Sequence, residues 1–470
     1  MCGIFLYVGE SFEQDEFRKS FDKIKMRGPD NSSLFQISEQ VLLGFHRLNI
    51  NDLSTNGMQP LYHPSEKSLL VICNGEIYNH EELKEEYNFE TSSNSDCEII
   101  IHLYKNLRDL YDEELGTVKA ANKAIYELCN MLDGVFAFSL YDKKNDLVFF
   151  ARDRFGVRPA FYGYTNVNEF MFASEAKAMI PFSQKINQFP PGCYGSIDPR
   201  YTLNKVSFNK YYEETFEYRS EEEYNEEETL DKVRELFTKA VDKRLMSERP
   251  VCSLLSGGLD SSLVSALAAR KYKPYTFETY AVGITGSPDL VYARKVADHI
   301  KSKHTNIELS KEDFLDAIEE TIYITETFDT TTVRASVGNY LVSKYIRENS
   351  ECKVVYNGDY SDEVAGGYLY FRNAPSKDEF HKECLRLLQE IHYFDCLRSD
   401  RTVSSQGLES RVPFADKDFI EYYLKIPPKY RMYDEDRMEK YLIRKAFDGE
   451  GLLPDVILWR PKEAFSDGVS

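Results

Sequence analysis

The sequence predicts two domains of different class, an α+β domain followed by an α/β domain with a doubly wound parallel sheet. Its 470 residues are more than one hydrophobic core usually holds. Short β-rich segments separated by turns fill about the first 200 residues, whereas helix and strand patterns alternate from Thr229 onward. An acidic stretch separates the two patterns. We therefore expect domains at residues 1–204 and 229–470, joined by an acidic linker at residues 205–228.

The first domain should combine antiparallel strands with helices. VLLGFHRLNI and SLLVICNGEIY have the apolar character of strands. VFAFSLYDKKNDLVFFARD predicts a hairpin, because two apolar runs flank a turn at Lys143 to Asp146. DCEIIIHLYKNL has helical periodicity. Together these segments predict a layered α+β domain.

The second domain should contain a parallel sheet covered by helices. The continuous apolar run VCSLL predicts a buried strand, and SLVSALAARKY predicts the helix that follows it. YTFETYAVGI, HTNIELS and KVVYNG are further strand candidates separated by helical sequence. Such alternation is typical of a doubly wound sheet. The like charges of YYEETFEYRSEEEYNEEE, just before this domain, favour a linker over the alternative of a solvated loop within one domain.

Composition restricts the class of protein and its partners. Hydrophobic residues make up 42% and charged residues 29% of the chain, as in soluble globular proteins. The net charge of −20 argues against nucleic acid or an anionic membrane as a partner. The nine cysteines form no CxxC pair, which favours a reduced compartment over a disulfide framework. No signal peptide or membrane span is recognisable, so we expect a cytoplasmic protein.

Cys2 directly follows the initiator methionine. Removal of Met1 would give Cys2 both a thiol and a free α-amino group. The reference pKa values of these groups, about 8.5 and about 7.7–8.0, are close enough for the amine to accept the thiol proton near neutral pH. Position 2 could instead tolerate any small residue, and this residue alone does not decide between the two interpretations.

The segment SGGLDSS, residues 256–262, lies between a predicted strand and a predicted helix. Glycines allow close backbone approach, and a helix N-terminus with serine hydroxyls offers donors to phosphate. Asp260 suits a Mg²⁺ ion that bridges carboxylate and phosphate oxygens. The segment lacks the GxxxxGK[ST] pattern of kinases and GTPases. A tight turn in which Asp and Ser cap the helix is the alternative.

Several motifs together resemble two enzyme families. SGGLDSS is similar to the pyrophosphate loop of N-type ATP pyrophosphatases, whereas MCGIF, RGPD, FHRLNI, NGEIYNH and the SD of SNSDCE resemble glutamine amidotransferases with an N-terminal nucleophile. One chain with both sets in this order resembles the glutamine-hydrolysing asparagine synthetases. GSPDL, TTTVRAS, SDEVAGGYLYF, GLESRVPF and RPKEAFSDG agree with this resemblance, which extends from Met1 to the last residues.

For the first domain, the resemblance implies an N-terminal-nucleophile layered sandwich that hydrolyses glutamine. Cys2 would be the nucleophile, and Asn74 with the backbone N–H of Gly75 would form the oxyanion hole. Arg47 would hold the substrate carboxylate, and the acidic residues Glu76 and Asp96 its ammonium group. We interpret His46 and His80 as structural. The expected glutamine-binding residues are Arg47, Leu48, Asn49, Ile50, Asn51, Asn74, Gly75, Glu76 and Asp96.

For the second domain, the resemblance implies that ATP activates the aspartate side chain as β-aspartyl-AMP and that ammonia displaces AMP. The expected ATP-binding residues are Leu255, Ser256, Gly257, Gly258, Asp260, Ser261, Ser262, Val282, Asn357 and Gly358. The expected aspartate-binding residues are Thr331, Thr332 and Arg334, and the expected Mg²⁺ ligands are Asp260 and Asp362. Lys462 would offset charge at the α-phosphate. The resemblance also implies a homodimer and a dry ammonia passage near residues 152–159 and 174–179.

One motif departs from the family pattern. The family usually has SGEGSDE after its second-domain strand, whereas this chain has NGDYSDE at residues 357–363. Asp359 replaces the glutamate that serves adenylylation and ammonia attack, and Tyr360 replaces a glycine. A positional error of roughly 1 Å can reduce a rate about a hundredfold. A glutaminase with an impaired synthetase half is therefore the alternative to the coupled ligase. A non-catalytic sensor and an amidotransferase acting on another carboxylic acid are two further hypotheses.

Overall fold

The computed structural model describes residues 1–10, 13–183, 185–201, 206–434 and 437–462, except for the side chains of Glu113 and Tyr201. The chain divides into two compact units, Met1–Glu213 and Glu214–Ser470. The division falls within the segment predicted as an acidic linker. In that segment, the strand Ser207–Lys210 pairs with Cys193–Ile197 of the first unit, and the helix Glu226–Lys243 belongs to the second unit.

The first unit contains two antiparallel sheets. Their strands are β1 Gly3–Val8, β2 Asn31–Gln36, β3 Val41–Arg47, β4 Leu61–Tyr62, β5 Leu69–Ile77, β6 Gly134–Asp142, β7 Leu147–Arg152, β8 Phe161–Tyr164, β9 Phe170–Ala173, β10 Ile186–Gln188, β11 Cys193–Ile197 and β12 Ser207–Lys210. The strand orders are β10-β8-β9-β1-β3-β2 and β12-β11-β7-β6-β5-β4. The helices are α1 Gln14–Phe21, α2 His80–Glu86, α3 Ile99–Leu115 and α4 Thr117–Met131. The predicted hairpin is confirmed as β6–β7.

The two sheets pack face to face around one apolar cluster. Ile4 and Phe45 of the first sheet share this cluster with Ile72 and Phe150 of the second. A second cluster joins the outer face of the second sheet to α3 and α4. Alternating side chains of β5 supply both clusters, as the period of two of a strand requires. This layered arrangement confirms the predicted α+β sandwich.

The second unit contains a five-stranded parallel sheet. Its strands are β13 Val251–Leu254, β14 Glu278–Ile284, β15 Lys303–Leu309, β16 Val354–Tyr356 and β17 Glu409–Arg411, in the order β15-β14-β13-β16-β17. The helices are α5 Glu226–Lys243, α6 Leu259–Ala269, α7 Pro288–Ile300, α8 Lys311–Asp316, α9 Ile318–Thr325, α10 Thr330–Asn349, α11 Ser361–Ala365, α12 Lys377–Glu390, α13 Thr402–Ser404, α14 Lys417–Leu424, α15 Pro428–Arg431, α16 Tyr441–Ala446 and α17 Asp455–Leu458. The predicted doubly wound α/β class is confirmed.

The strand order creates a switch point between β13 and β16. The chain proceeds from β13 to β14 and β15 on one side and then returns to add β16 and β17 on the other. Ligands of open α/β sheets bind outside the carboxyl ends of strands at such a point. SGGLDSS follows β13 and NGDYSDE follows β16, so both motifs lie at this edge of the sheet.

The cysteines and the helices bear on two predictions from the sequence, the lack of a disulfide framework and the lack of a membrane span. All nine cysteines lie in the described ranges, and none of them forms a disulfide. Within those ranges, every helix is too short or too polar to traverse a lipid bilayer.

Candidate active sites

The first candidate site surrounds Cys2, just before β1. The Cys2 thiol is partly exposed, and its Sγ lies 3.8 Å from the carbonyl oxygen of Leu48. The buried Arg27 donates from Nε to the carbonyl of Cys2 at 2.9 Å, and its Nη1 pairs with Glu175 at 2.8 Å. Arg27 and Glu175 were not among the predicted site residues, although the RGPD and SEAKAM segments that contain them are recognisable in the sequence. They fix the backbone that carries the thiol.

Met1 is present at the start of this site. Its side chain is buried, and its Sδ lies 2.7 Å from Nη1 of Arg158. Removal of Met1, which would free the α-amine of Cys2, stays a prediction.

The predicted oxyanion hole lies on β5. Asn74 is fully buried, and neither its Nδ2 nor its Oδ1 has a hydrogen-bond partner among the described residues. Such an orphaned amide costs stability, about 1–3 kcal/mol for a buried polar group. Gly75 follows it, and a Cβ there would lie 2.4 Å from the carbonyl oxygen of Val135. The close approach of β5 and β6 thus requires glycine at this position, and the unpartnered Nδ2 of Asn74 is available to donate to an anion.

The predicted ammonium-binding carboxylates converge. Nδ2 of Asn51 donates to Glu76 Oε2 at 2.8 Å and to Asp96 Oδ1 at 3.2 Å. The N–H of Ile77 donates to the other oxygen of Asp96 at 2.8 Å. Both carboxylates are buried. A pair of oriented carboxylates suits a cationic group, as the zwitterion of an amino acid requires.

Arg47 is held by backbone carbonyl groups. Its guanidinium donates to Ser54 O at 2.8 Å and also to Asp52 O. The N–H of Asn49 donates to Asp30 Oδ2 at 2.8 Å, which fixes the loop after β3. The planar fork of an arginine oriented in this way suits a carboxylate. The buried members of the predicted segment 47–51 are Arg47, Leu48 and Ile50.

The histidines beside these motifs have structural contacts. Nε2 of His46 lies 3.1 Å from Phe21 O, its Nδ1 lies 2.7 Å from Ser32 Oγ, and its ring stacks on Phe21. Burial lowers the pKa of His46 to about 4, so the ring is neutral at physiological pH. Nδ1 of His80 lies 2.9 Å from Ile77 O. These contacts support the structural interpretation of both rings.

The second candidate site is a cavity of about 630 Å³ in the second unit, at the switch point of the sheet. It is large enough for a nucleotide-sized ligand. The predicted residues that line it are Leu255, Ser256, Gly258, Asp260, Ser261, Val282, Thr331, Thr332, Asn357, Gly358, Asp359, Asp362 and Lys462. The structure therefore brings together most of the residues predicted for ATP, aspartate and Mg²⁺.

The SGGLDSS loop is held by its own side chains and by close backbone packing. Ser261 Oγ accepts from the N–H of Ser256 at 3.1 Å, and the two hydroxyls are 2.9 Å apart. Gly257 has a φ of +79°, and a Cβ there would lie 2.5 Å from the nitrogen of Ala293. A Cβ on Gly358 would lie 2.6 Å from the nitrogen of Ser261. Both glycines allow a close approach that a side chain would block.

Asp260 and Asp362 share one lysine. Lys440 Nζ lies 2.6 Å from a carboxylate oxygen of each, and Lys462 pairs with the same oxygen of Asp362. Burial alone would raise the pKa of Asp362, but the two ammonium groups outweigh it and hold this pKa below its usual range. Ser361 Oγ donates to the other oxygen of Asp260 at 2.7 Å. The cavity thus contains a dense network of paired charges.

The two aspartates fit the Mg²⁺ ion that the family resemblance implies. Mg²⁺ is usually bound by one or two carboxylates together with substrate phosphates, and these carboxylates already converge on a cation, Lys440. Among the described residues, no group of three or more His, Cys, Asp or Glu side chains could hold a metal ion. Asp260 and Asp362 therefore suit a metal shared with phosphates, not an all-protein site.

In NGDYSDE, the motif that departs from the family pattern, Tyr360 keeps a backbone conformation typical of glycine. Tyr360 is buried and has a φ of +76°, a left-handed conformation that costs a residue with a side chain about 1–2 kcal/mol. The carboxylate of Asp359 pairs through Oδ1 with Nη2 of Arg398 at 2.9 Å, and the same guanidinium pairs with Asp395 at 2.8 Å. Asp359 therefore faces the cavity with one oxygen already committed.

Three predicted residues are not part of the cavity lining. Gly257 forms the turn behind the loop, Ser262 is buried in α6, and Arg334 is exposed on α10. The role of Arg334 in aspartate binding stays a prediction. Sequence reasoning assigned no role to several further lining residues. Asp289, Glu363, Tyr368 and Arg460 lie in motifs that the family resemblance includes, whereas Asp395, Arg398 and Lys440 come from other segments of the chain.

Comparisons with known proteins identify the family of each half of the chain. The glutamine amidotransferase domain model matches residues 1–191, and the asparagine synthase model matches residues 232–379 and 372–470. Asparagine synthetase [glutamine-hydrolyzing] of Rattus norvegicus is 42% identical over 493 residues, which is 100% of this chain and 85% of the relative. The Homo sapiens enzyme of the same name is 41% identical over 498 residues, with the same coverage.

A solved structure is also similar in part. Glutamine phosphoribosylpyrophosphate (PRPP) amidotransferase from B. subtilis, complexed with ADP and GMP, has 16% sequence identity and a TM-score of 0.37, over 65% of this chain and 81% of that one. The full-length identity and the two family models carry the assignment. This chain belongs to the glutamine-hydrolysing asparagine synthetases.

Proposed function

We propose that this chain synthesises asparagine from aspartate, with glutamine as nitrogen donor and with ATP converted to AMP and pyrophosphate. The observation that carries this proposal is the pairing, in one chain, of two different sites. One contains the partly exposed thiol of Cys2 and, on β5, an unpartnered buried amide, and the other is a cavity with a glycine-serine loop and paired acidic and basic groups. Family membership supports the same reaction.

In the first site, we propose that the thiolate of Cys2 attacks the side-chain amide of glutamine. Negative charge that develops on the amide oxygen would be stabilised by Nδ2 of Asn74 and the N–H of Gly75, donors that are fixed before the reaction. Glu76 and Asp96 would hold the substrate ammonium group. Ammonia leaves as the thioester forms, and water then releases glutamate and restores the thiol.

In the second site, we propose that the β-carboxylate of aspartate attacks the α-phosphate of ATP and expels pyrophosphate. The loop from Ser256 to Ser262 would hold the phosphates by its N–H groups and hydroxyls. Lys440 and Lys462 would offset the negative charge of the reacting phosphates. Mg²⁺ held by Asp260 and Asp362, when bound, neutralises phosphate charge. Thr331, Thr332 and Arg334 are the candidates for holding aspartate.

Ammonia would be protonated if it escaped into water, so we propose a dry passage. Buried polar side chains within the first unit are candidates for its walls. Arg152 donates to the carbonyls of Gly156, Arg158 and Phe189 at 2.6–2.7 Å, which makes residues 152–159 a rigid segment. The homodimer and the cytoplasmic location implied by the family resemblance also stay predictions.

The test is to measure asparagine, AMP and pyrophosphate formation from ATP and aspartate, with glutamine and with ammonium salts in parallel. We expect all three products with both nitrogen donors. A second function, glutaminase with an impaired synthetase half, is favoured by the ion pair that occupies Asp359. It predicts glutamate release from glutamine without AMP from either donor, and this result would exclude the synthetase proposal.

A further inference from the structure

Arg460 follows α17 and is one of the residues that line the cavity, but the preceding mechanism gives it no role. Its side chain is buried, and it contacts both the SGGLDSS loop and α7. Nη1 donates to the carbonyl oxygen of Gly257 at 3.2 Å, and Nη2 pairs with Asp289 Oδ1 at 2.7 Å. The guanidinium carbon lies 3.9 Å from the centroid of the Tyr292 ring. Arg460 therefore connects the segment after α17 with the loop and with α7.

The contact with Gly257 fixes the orientation of one peptide plane in the loop. Two successive glycines would otherwise leave this plane free to rotate. The peptide bond between Gly257 and Gly258 is trans, so its C=O and its N–H point in opposite directions. Gly258 lines the cavity, and its N–H makes a single, long contact among the described residues, 3.4 Å to Ser256 Oγ. By holding the carbonyl oxygen, Arg460 thus fixes the direction of an N–H that is available to a ligand.

The orientation of Arg460 is itself fixed by α7. Asp289 lies in the first turn of this helix and holds one nitrogen of the guanidinium, and the ring of Tyr292 supports the guanidinium by a cation–π contact. The loop packs directly on the same helix, because a Cβ on Gly257 would lie 2.7 Å from the Cβ of Tyr292. The planar fork of arginine can contact a carboxylate, a ring and a carbonyl at once, whereas the ammonium of lysine is a point charge. Arginine is therefore the residue type that this position requires.

We propose that Arg460 is a positioning residue for the pyrophosphate part of ATP, and that it acts by holding the Gly257 carbonyl so that the N–H of Gly258 is directed at a phosphate oxygen. This inference rests on the proposed synthetase function and separates recognition of pyrophosphate from recognition of AMP. In the adenylylation step, an aspartate oxygen forms a bond to the α-phosphorus. The bond from this phosphorus to the bridging oxygen breaks, and its electron pair leaves on pyrophosphate. A donor fixed in advance stabilises that added charge.

The test compares the binding of two ligands, inorganic pyrophosphate and AMP, to the full chain. Titration calorimetry in the presence of Mg²⁺ gives both dissociation constants without any turnover. For Arg460→Met we expect pyrophosphate to bind about 10–100-fold more weakly, the effect of losing one hydrogen bond to a charged group, and AMP to bind within about twofold of wild type. Unchanged AMP affinity also reports that the second unit is folded. A residue that only stabilised the cavity would weaken both ligands.

Kinetics and further variants sharpen this test. In aspartate-dependent exchange of pyrophosphate into ATP, Arg460→Met should lower kcat/KM for ATP by a factor similar to its loss of pyrophosphate affinity, and KM for aspartate should stay unchanged. Arg460→Lys should recover part of the affinity, because it keeps the charge but not the fork. Asp289→Asn should weaken pyrophosphate binding less than Arg460→Met does. The double variant should be no weaker than Arg460→Met alone, because Asp289 acts through Arg460.

Arg234→Met is the matched control. Arg234, on α5, also donates from Nη1 to a backbone carbonyl, that of Ala446 at 2.7 Å, and also pairs with a carboxylate, that of Glu450 at 3.1 Å. It is not one of the described residues that line the cavity. We therefore expect Arg234→Met to bind pyrophosphate and AMP as wild type does.

Wild-type affinity for pyrophosphate in Arg460→Met would overturn the proposal, and so would an equal loss of pyrophosphate and AMP affinity in a folded variant. If circular dichroism shows that Arg460→Met is unfolded, Asp289→Asn, which keeps the guanidinium, decides by the same comparison of ligands. A wild-type chain that binds no pyrophosphate would likewise overturn it. If the wild-type chain binds pyrophosphate but shows no aspartate-dependent exchange, the proposed synthetase function fails, whereas the calorimetric comparison still decides the role of Arg460.

Discussion

The two candidate sites differ in whether their polar side chains are already paired within the protein. In the first unit, the oxyanion donor Asn74 is a neutral amide without a hydrogen-bond partner among the described residues. In the second unit, Asp260 and Asp362 are charged, and Lys440 contacts both. The amide of Asn74 is therefore left without a partner until substrate binds, whereas the charges of Asp260 and Asp362 are balanced by lysine ammonium groups of the protein. From this difference we expect substitutions in the first site to affect rate, and those in the second to affect stability as well.

The largest effect is expected for Lys440→Met. It removes a buried ammonium group that contacts the partly exposed carboxylates of Asp260 and Asp362, and removal of one partner of a buried ion pair costs up to about 3–5 kcal/mol. Denaturant unfolding of the second unit should show this loss, together with loss of asparagine formation. Lys445→Met is the control, because Lys445 pairs with Asp448 at the surface. If Lys440→Met were as stable as wild type, the internal satisfaction of charge in this site would be refuted.

Asn74→Ala should produce the reverse pattern. Loss of one oxyanion donor reduces kcat for glutamine hydrolysis about 10²–10³-fold, but the unfolding free energy should stay unchanged or rise, because an unpartnered buried amide is removed. Asn79→Ala, in the same motif, is the matched control. Asn79 donates to Met131 O and accepts from the N–H of Asp133, each at 2.9 Å. It should lose about 1–3 kcal/mol of stability and keep its rate. If Asn74→Ala and Asn79→Ala changed kcat and the unfolding free energy by equal amounts, the proposed difference between an unpartnered and a hydrogen-bonded amide would be contradicted.

Acid should destabilise the first unit through His46. Because the pKa of His46 is about 4 in the folded protein and about 6.5 in an unfolded chain, the unfolded state binds more protons between these values. The contribution of neutral His46 to the free energy of unfolding is therefore fully present above about pH 6.5, and it is lost as the pH decreases toward 4. The loss is about 3 kcal/mol. His46→Phe should be less stable at neutral pH but should lack this share of the pH dependence. An unchanged pH profile of unfolding in His46→Phe would show that the ring is not buried in its neutral form.

The sequence was sufficient to predict what lies close along the chain. Apolar periodicity identified β13, α6 and the β6–β7 hairpin, and motif resemblance identified Cys2, Asn74 and the SGGLDSS loop. Long-range partners left no local signal. Lys440 reaches Asp260 from 180 residues away, and the three-residue strand β17 is too short and too polar for a strand pattern. The exposure of Arg334 and the pairing of Asp359 with Arg398 likewise depend on tertiary packing.

The separation of the two sites is tested most directly with Cys2→Ala, assayed for asparagine formation with glutamine and with ammonium salts side by side. The thiol is required only to release nitrogen from glutamine, so we expect at least about a 10⁴-fold loss with glutamine and an ammonia-dependent rate equal to that of wild type. Loss of both activities in a folded Cys2→Ala protein would contradict the division of labour between the two units.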